Sequence, residues 1–319
     1  PEGTPLRELA AARDLWIGAA VAPDPLLCEP AYAQVLQRQF NVLTTENALK
    51  FGPVHPAPDR YDWHAADTIV DFAEANDMLV RGHTLVWHNQ LPAWIEQGNW
   101  NREELLEVLR EHITTVVGRY QGRVAAWDVV NEAIGDDGDL RDTLWLRVIG
   151  PEYIELAFRW AHEADPEALL FYNDYSAETM NRKSDAVYAL VQELLEEGVP
   201  IHGVGLQMHA RLGVSPSLGA VRENMERLGA LGLDVQITEM DVRLRDTTIG
   251  TLERQAQVYG DTLQVCLDTP NCTALVLWGF TDRHSWVPGF FKGWGDALIF
   301  DEAYAPKPAY EALREALAE

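Results

Sequence analysis

REELLEVLREHITTVVGRYQGRVAAWDVVNEA (102–133) decides the architecture of this chain. Its first part, 102–120, is amphipathic and helix-like. After a short polar break it becomes the apolar run VAAWDVVNE (124–132), which reads as a buried strand ending on a carboxylate. A helix feeding a buried strand is the repeating unit of a parallel α/β sheet. In such sheets a polar group at the C-terminal tip of a strand faces the ligand crevice. Glu132 stands at that tip.

The same alternation extends outward in both directions. The other strand-like runs are LWIGAAV (15–21), NVLTTEN (41–47), MLVRGHTLVW (78–87), ALLFYNDY (168–175), HGVGLQMHA (202–210), LDVQITEMD (233–241) and TALVLWGF (273–280). Between them lie further helix-like pieces, RKSDAVYALVQELLEEG (182–198) and VRENMERLGALG (221–232), each closing on a glycine as helices often do. PAYEALREALAE (308–319) supplies a closing helix. Eight strands, seven intervening helical segments and a closing helix predict a (β/α)₈ TIM barrel of class α/β. A doubly wound open sheet would call for a Gly-rich phosphate turn after the first strand, and GAAVAPDP is not one.

Composition agrees with one large core. The chain has 319 residues, 47% of them apolar and 24% charged, with no linker or low-complexity run, so residues 1–319 read as a single domain. A formal net charge of −25 argues against nucleic acid or an anionic membrane as partner. No stretch approaches the ~18 consecutive apolar residues of a membrane span. The chain starts at Pro1 without a leader and is expected to be a mature or trimmed form of a secreted, monomeric protein. Of three cysteines, Cys266 and Cys272 bracket a Pro-Asn turn and are expected to form a disulfide, leaving Cys28 as a small buried hydrophobe. Asn271-Cys272-Thr273 has the form of a glycosylation sequon, a weak match.

The strand ends carry the polar residues: Glu46-Asn47, Trp87-His88, Asn131-Glu132, Asn173-Asp174-Tyr175, Gln207 and His209, Glu239 and Asp241, and Trp278. Two carboxylates facing one substrate are the minimal equipment for cleaving a glycosidic bond, and amides and flat aromatics suit sugar hydroxyls and faces. Glu132 and Glu239 are therefore the candidate catalytic pair. Asn131 is placed to donate to a sugar hydroxyl. His209 is expected to bridge Glu239 and Asp241, which share a strand face at a spacing of two, and so to hold Glu239 ionised. Trp127, Trp16, Trp145 and Trp160 are assigned to packing. No H-x-H, H-E-x-x-H or C-x-x-C pattern occurs, so no metal or other cofactor is expected. His83 and His88, five apart along a strand, are expected on opposite faces.

These residues carry a family resemblance. TTENALK (44–50), GHTLVWHNQLPAW (82–94), WDVVNEA (127–133), FYNDY (171–175), VGLQMH (204–209), ITEMD (237–241) and WGFTDRHSW (278–286) resemble glycoside hydrolase family 10, over about residues 15–315. The characterised members are mainly endo-β-1,4-xylanases. The resemblance implies that the chain acts on xylan and xylo-oligosaccharides by retaining double displacement, with Glu239 as nucleophile and Glu132 as general acid/base. Retention implies carboxyl groups about 5–5.5 Å apart. It further implies that Lys50, His83, Trp87, Asn131 and Gln207 hold the sugar at the cleavage point. Glu46 and Asn47 would hold the next sugar toward the non-reducing end, and Tyr175 would line the leaving-group side. Trp278 is expected beneath the glycone and Trp286 over it. Phe291 and Trp294 fall in a variable loop, and the resemblance implies that 1–319 is one catalytic domain without a carbohydrate-binding module. A cellulase-type β-1,4-glucanase on the same barrel is the near alternative. A non-catalytic sugar-binding barrel would be expected to lack one of the two glutamates, and a metal-dependent hydrolase would need the ligand motifs that are missing.

Overall fold

The computed structural model describes residues 3–214 and 216–319. Its strands are β1 (Trp16–Val21), β2 (Val42–Thr45), β3 (Leu79–Val86), β4 (Ala126–Asn131), β5 (Leu169–Asp174), β6 (Gly203–Leu206), β7 (His209–Arg211), β8 (Asp234–Arg243) and β9 (Cys272–Leu277). All pair in parallel. Neighbours run β1 through β6 in order, β6 bonds to β8, and β8 to β9 and β9 to β1 close an eight-stranded barrel. The short β7 lies outside that ring and pairs only with β8.

Residues 102–133 show how the sequence builds one unit. Asn101 Oδ1 accepts from the Glu104 amide at 2.9 Å, and Glu104 Oε2 accepts back from the Asn101 amide at 3.1 Å. This capping box satisfies two amides that a helix start would leave unpaired. The helix Arg102–Arg119 buries Leu105, Leu109, Ile113, Val116 and Val117 on one stripe. Every residue of β4 is buried. Equivalent outer helices are Pro30–Gln39, His64–Ala75, Tyr153–Ala164, Arg182–Glu196, Leu218–Ala230, Ile249–Leu267 and Pro308–Ala318. They give the (β/α)₈ architecture expected from the sequence. Among the described residues no helix is long and apolar enough to cross a membrane.

The barrel interior is not wholly apolar. Arg81 on β3, 1% exposed, pairs with Asp128 on β4 and with Gln236 on β8, and its guanidinium lies 4.6 Å from the Phe171 ring centroid. Above this layer the register of β4 slips between Asp128 and Val130, and that of β8 between Ile237 and Met240. These irregularities break the period of two and let neighbouring residues face the same side.

Three expectations need correction. The run 202–210 is two strands, not one, because Met208 adopts φ 64 and ends the extended backbone there. His83 and His88 are not divided between opposite faces: β3 shifts register after His83 and ends at Val86, so His88 lies in the following turn and lines the same cleft. Cys28, at the end of the short helix Pro23–Cys28, is exposed, since that helix buries its Pro25–Leu26 side. Asn271, the asparagine of the weak sequon match, donates its side-chain amide to the carbonyls of Met225 and Leu233, at 2.9 and 3.2 Å. A disulfide joins Cys266 to Cys272, tying the end of the helix Ile249–Leu267 to the start of β9, away from the cleft end of the barrel.

Candidate active site

The C-terminal ends of the strands open into a cleft of about 690 Å³. It is lined by Glu46, Asn47, Lys50, His83, Trp87, Asn131, Glu132, Tyr175, Gln207, His209, Glu239, Trp278 and Trp286, with Asp241 directly behind His209. All fourteen site residues read from the sequence, the two cysteines apart, thus fall in one place.

Glu132 follows the last residue of β4 with φ 58, a left-handed conformation uncommon for a residue with a Cβ. The turn allows Asn131 and Glu132, adjacent in sequence, to reach the same cleft. Trp87 Nε1 donates to Glu132 Oε2 at 2.8 Å, and Gln207 Nε2 donates to Oε1 at 3.0 Å. Arg141, from the following loop, donates to the Glu132 carbonyl at 2.8 Å and to the Tyr175 hydroxyl at 2.9 Å.

Glu239 is 5% exposed. Asn173 Nδ2 donates to its Oε1 at 2.8 Å, and His209 Nε2 lies 3.0 Å from Oε2. His209 Nδ1 lies 2.9 Å from Asp241 Oδ2, which also accepts from Trp286 Nε1 at 2.8 Å. Burial works against an imidazolium at His209, but the charge and hydrogen bond of Asp241, reinforced by Glu239, raise its pKa to about 10. The ring is therefore a cation at neutral pH and donates to both carboxylates. Burial likewise opposes the charge of Glu239. The hydrogen bond from His209 and the charges of His83 and His209 outweigh it and hold this carboxyl below its usual range.

His83 Nδ1 is 2.8 Å from Asp128 Oδ2, leaving Nε2 as its free nitrogen. Burial alone would raise Asp128, yet the Arg81 charge and the His83 hydrogen bond hold it low. Lys50, 6% exposed, donates to Asn47 Oδ1 at 2.7 Å and sits 4.8 Å from the Trp87 ring and 5.8 Å from the Trp278 ring. Burial lowers its pKa against the pull of Glu239, Glu46 and Glu132. Burial raises that of Glu46. Asn131 Oδ1 accepts from Asn173 at 2.9 Å and from Gln207 at 3.3 Å, so a chain of amides links the two carboxylates.

Several cleft residues escaped the sequence reading. Asn173 was visible at the end of a strand but had no assigned role, although it touches Glu239 and Asn131 and receives Thr238 Oγ1 at 2.6 Å. Gly205 makes room for it: a Cβ there would fall 2.2 Å from Asn173 Oδ1. His88, Gln90, Arg141, Ser176 and Glu178 line the cleft from loops and turns that carry no periodic signal, Arg243 from the last position of β8 and Phe290 from the short helix Val287–Phe290. Phe291 also lines it, whereas Trp294 stacks against Arg245 at 4.7 Å.

Paired carboxylates among amides and aromatic rings suit the hydrolysis of a carbohydrate, and the chain as a whole is similar to known glycoside hydrolases. Endo-1,4-β-xylanase B of Thermotoga neapolitana is 48% identical over 326 residues, spanning 100% of this chain and 93% of its own. Endo-1,4-β-xylanase B of Paenibacillus barcinonensis is 42% identical, spanning 94% of each chain. The crystal structure of xylanase 10B from Thermotoga petrophila RKU-1 in complex with xylobiose matches with a TM-score of 0.97 at 50% identity, covering 100% of this chain and 98% of that one. Residues 5–316 match the model of glycosyl hydrolase family 10, and with the barrel and its paired glutamates in place the chain belongs to that family.

Proposed function

We propose that this protein is an endo-1,4-β-xylanase acting with retention of configuration, with Glu239 as nucleophile and Glu132 as general acid/base. The observation that carries the assignment is the unlike surroundings of the two carboxylates. Glu239 is buried against the cationic His209 and a donating amide, which keeps it ionised and aimed. Glu132 stands on the cleft wall and takes its hydrogen bonds from the neutral donors Trp87 and Gln207.

In the first step Glu239 attacks the anomeric carbon while Glu132 gives its proton to the departing glycosidic oxygen, leaving a glycosyl ester. In the second, Glu132 takes a proton from water as that water displaces the ester, which frees Glu239. Both amides directed at Asn131 occupy its Oδ1, so its Nδ2 remains to donate to the sugar 2-hydroxyl, a contact that strengthens in the oxocarbenium-like transition state. Lys50, His83, Trp87 and Gln207 would surround the sugar at the cleavage point. Glu46 and Asn47 would bind the next one, and Tyr175 the leaving-group side. Trp278 and Trp286 would enclose the glycone face, filling the space a glucose hydroxymethyl needs. An extracellular location is proposed with this activity, as the Cys266–Cys272 bridge suits an oxidising compartment.

The deciding experiment uses an activated aryl xylobioside. Glu239→Ala abolishes turnover. Glu132→Ala accumulates glycosyl-enzyme and is rescued by azide to give a product of retained configuration. Wild-type rates from Glu239→Ala would sink the mechanism, and faster hydrolysis of carboxymethylcellulose than of xylan would shift the substrate to a β-glucan.

A further inference from the structure

Gln207, Met208 and His209 form an elbow between β6 and β7, and its two flanking side chains go to different catalytic carboxylates. Gln207 Nε2 donates to Glu132 at 3.0 Å, while His209 lies 3.0 Å from Glu239. The elbow is tied to Glu239 a second time, because the Glu239 amide donates to the Gln207 carbonyl at 3.0 Å. Between them Met208 holds φ 64, a region that a residue with a Cβ enters at an energetic cost. Something must hold it there. Its amide donates to Glu178 Oε1 at 2.9 Å. Glu178 comes from the loop after β5 and is itself 9% exposed. The Glu178 backbone is anchored in turn: Asn224, 1% exposed on the helix Leu218–Ala230, donates to the carbonyls of Ala177 and Glu178 at 2.8 and 3.2 Å, and Arg227 Nε donates to Asn224 Oδ1 at 2.8 Å.

We propose that Glu178 is a positioning residue for both catalytic carboxylates, acting through the Met208 amide to fix the elbow that aims Gln207 at Glu132 and His209 at Glu239. Burial raises the pKa of Glu178 against the pull of the Met208 amide, so the role calls for a buried oxygen acceptor at this position rather than for a charge. A rotation of the elbow moves both side chains at once, so one lost hydrogen bond degrades the acid/base and the nucleophile together. The proposal rests on the roles assigned above to Glu132 and Glu239.

The test compares Glu178→Leu, which removes the acceptor at similar size, with Glu178→Gln, which keeps an oxygen acceptor. Each is assayed with 2,4-dinitrophenyl xylobioside by burst and steady-state kinetics, which read formation and hydrolysis of the glycosyl-enzyme separately. Glu178→Leu is expected to slow both steps about tenfold to a hundredfold with KM within about twofold, as for a misplacement of about 1 Å at the reacting groups. Glu178→Gln is expected to restore both steps to within about threefold. Should Glu178→Leu fail to fold, Glu178→Asn, whose oxygen stands one methylene short of the Met208 amide, carries the same expectation. Wild-type rates from the variants lacking the acceptor, loss in one step alone, or a Gln variant no better than Leu would each overturn the proposal. If Glu239→Ala is inactive while Glu178→Leu is fully active, only this inference falls. If Glu239→Ala is active, the catalytic assignment falls first.

Discussion

The positive charge on His209 makes a quantitative claim that stability and spectroscopy can check. The imidazole is 16% exposed and lies 2.9 Å from Asp241 and 3.0 Å from Glu239, both of them buried. A pKa raised from 6.5 to about 10 in the folded protein corresponds to about 5 kcal/mol, at about 1.36 kcal/mol per unit of pKa. The folded value is the higher one, so the native state binds the proton more tightly than the unfolded chain. This stabilisation is fully present below pH 6.5 and is lost as the pH climbs toward about 10. Above about pH 7.5 the unfolded chain has released its histidine protons while native His209 keeps its own, so stability falls by up to about 1.4 kcal/mol per pH unit, or roughly 2 kcal/mol by pH 9. Of the other shifted groups, six stay outside that window. Asp174 and Asp282, pushed by burial to about 6, are already ionised there, and His55, His88, His112 and His202, lowered by burial, are already neutral. Lys50, also lowered by burial, acts in the opposite sense, so the charge must be read directly as well. Urea midpoints from pH 6 to 9 give the slope. Nitrogen NMR of the histidine rings, assigned by the signal that disappears in His209→Asn, gives the charge. An imidazolium signal persisting to pH 9 is expected, with kcat of the Asn variant reduced about a hundredfold or more. Titration of that ring between pH 6 and 7.5 would refute the reasoning.

Three further outcomes follow from the same geometry. Glu239 is held below 4.5, so the acid limb of kcat/KM on an aryl xylobioside should fall below pH 4.5. The stability contributed by its charge should likewise be lost as the pH drops through the folded value, and a limb centred at pH 5 or above contradicts the His209–Glu239 pairing. Gly205→Ala drives a methyl into Asn173 Oδ1 and should cost about 1–3 kcal/mol in urea unfolding and at least tenfold in kcat, and a variant with wild-type kcat would show that Asn173 does not orient Glu239. Arg81→Met takes the guanidinium from buried Asp128, leaving it His83 as a side-chain partner, and should cost about 3–5 kcal/mol, whereas a loss under about 1 kcal/mol would mean that the pair is not essential to the core.

What could be read without coordinates was the part governed by period. Buried parallel strands announce themselves as apolar runs, and their last residues point at the cleft whatever their detailed geometry, so Glu132, Gln207 and Glu239 were legible. The Glu239–His209–Asp241 bridge was legible too, since a spacing of two on one strand puts both carboxylates on the same face. What could not be read was every place where the period fails. The division of 202–210 at Met208, the slips in β4 and β8, and the joint approach of His83 and His88 depend on tertiary contacts rather than local preference. Arg141 and Glu178 act from loops on backbone groups, and no pattern in a sequence records which carbonyl or amide a side chain will find.

Those failures of period are concentrated where chemistry requires them. Among the described residues eight other than glycine have positive φ, and four of them follow four successive strands of the barrel ring: Gln90 after β3, Glu132 after β4, Ser176 after β5 and Met208 after β6. Asp14 and Asp77, by contrast, follow helix ends, where left-handed residues are commonplace. Gln90, Glu132 and Ser176 line the cleft, and Met208 lies between two residues that do. Each left-handed residue with a Cβ costs on the order of 1–2 kcal/mol, so the rim holds several kcal/mol that a regular barrel would not contain. The gain is geometric. An extended strand shows the cleft only alternate residues, whereas a left-handed step or a bulge at its tip shows two in a row. Asn131 with Glu132 is presented in this way, while the left-handed step at Met208 breaks the chain between β6 and β7 and leaves Gln207 and His209 on different carboxylates. The hydrogen bonds from Arg141 to the Glu132 carbonyl and from the Met208 amide to Glu178 are then what keep the strained steps in place. Loops that hold them are therefore as much a part of the catalytic apparatus as the glutamates they aim.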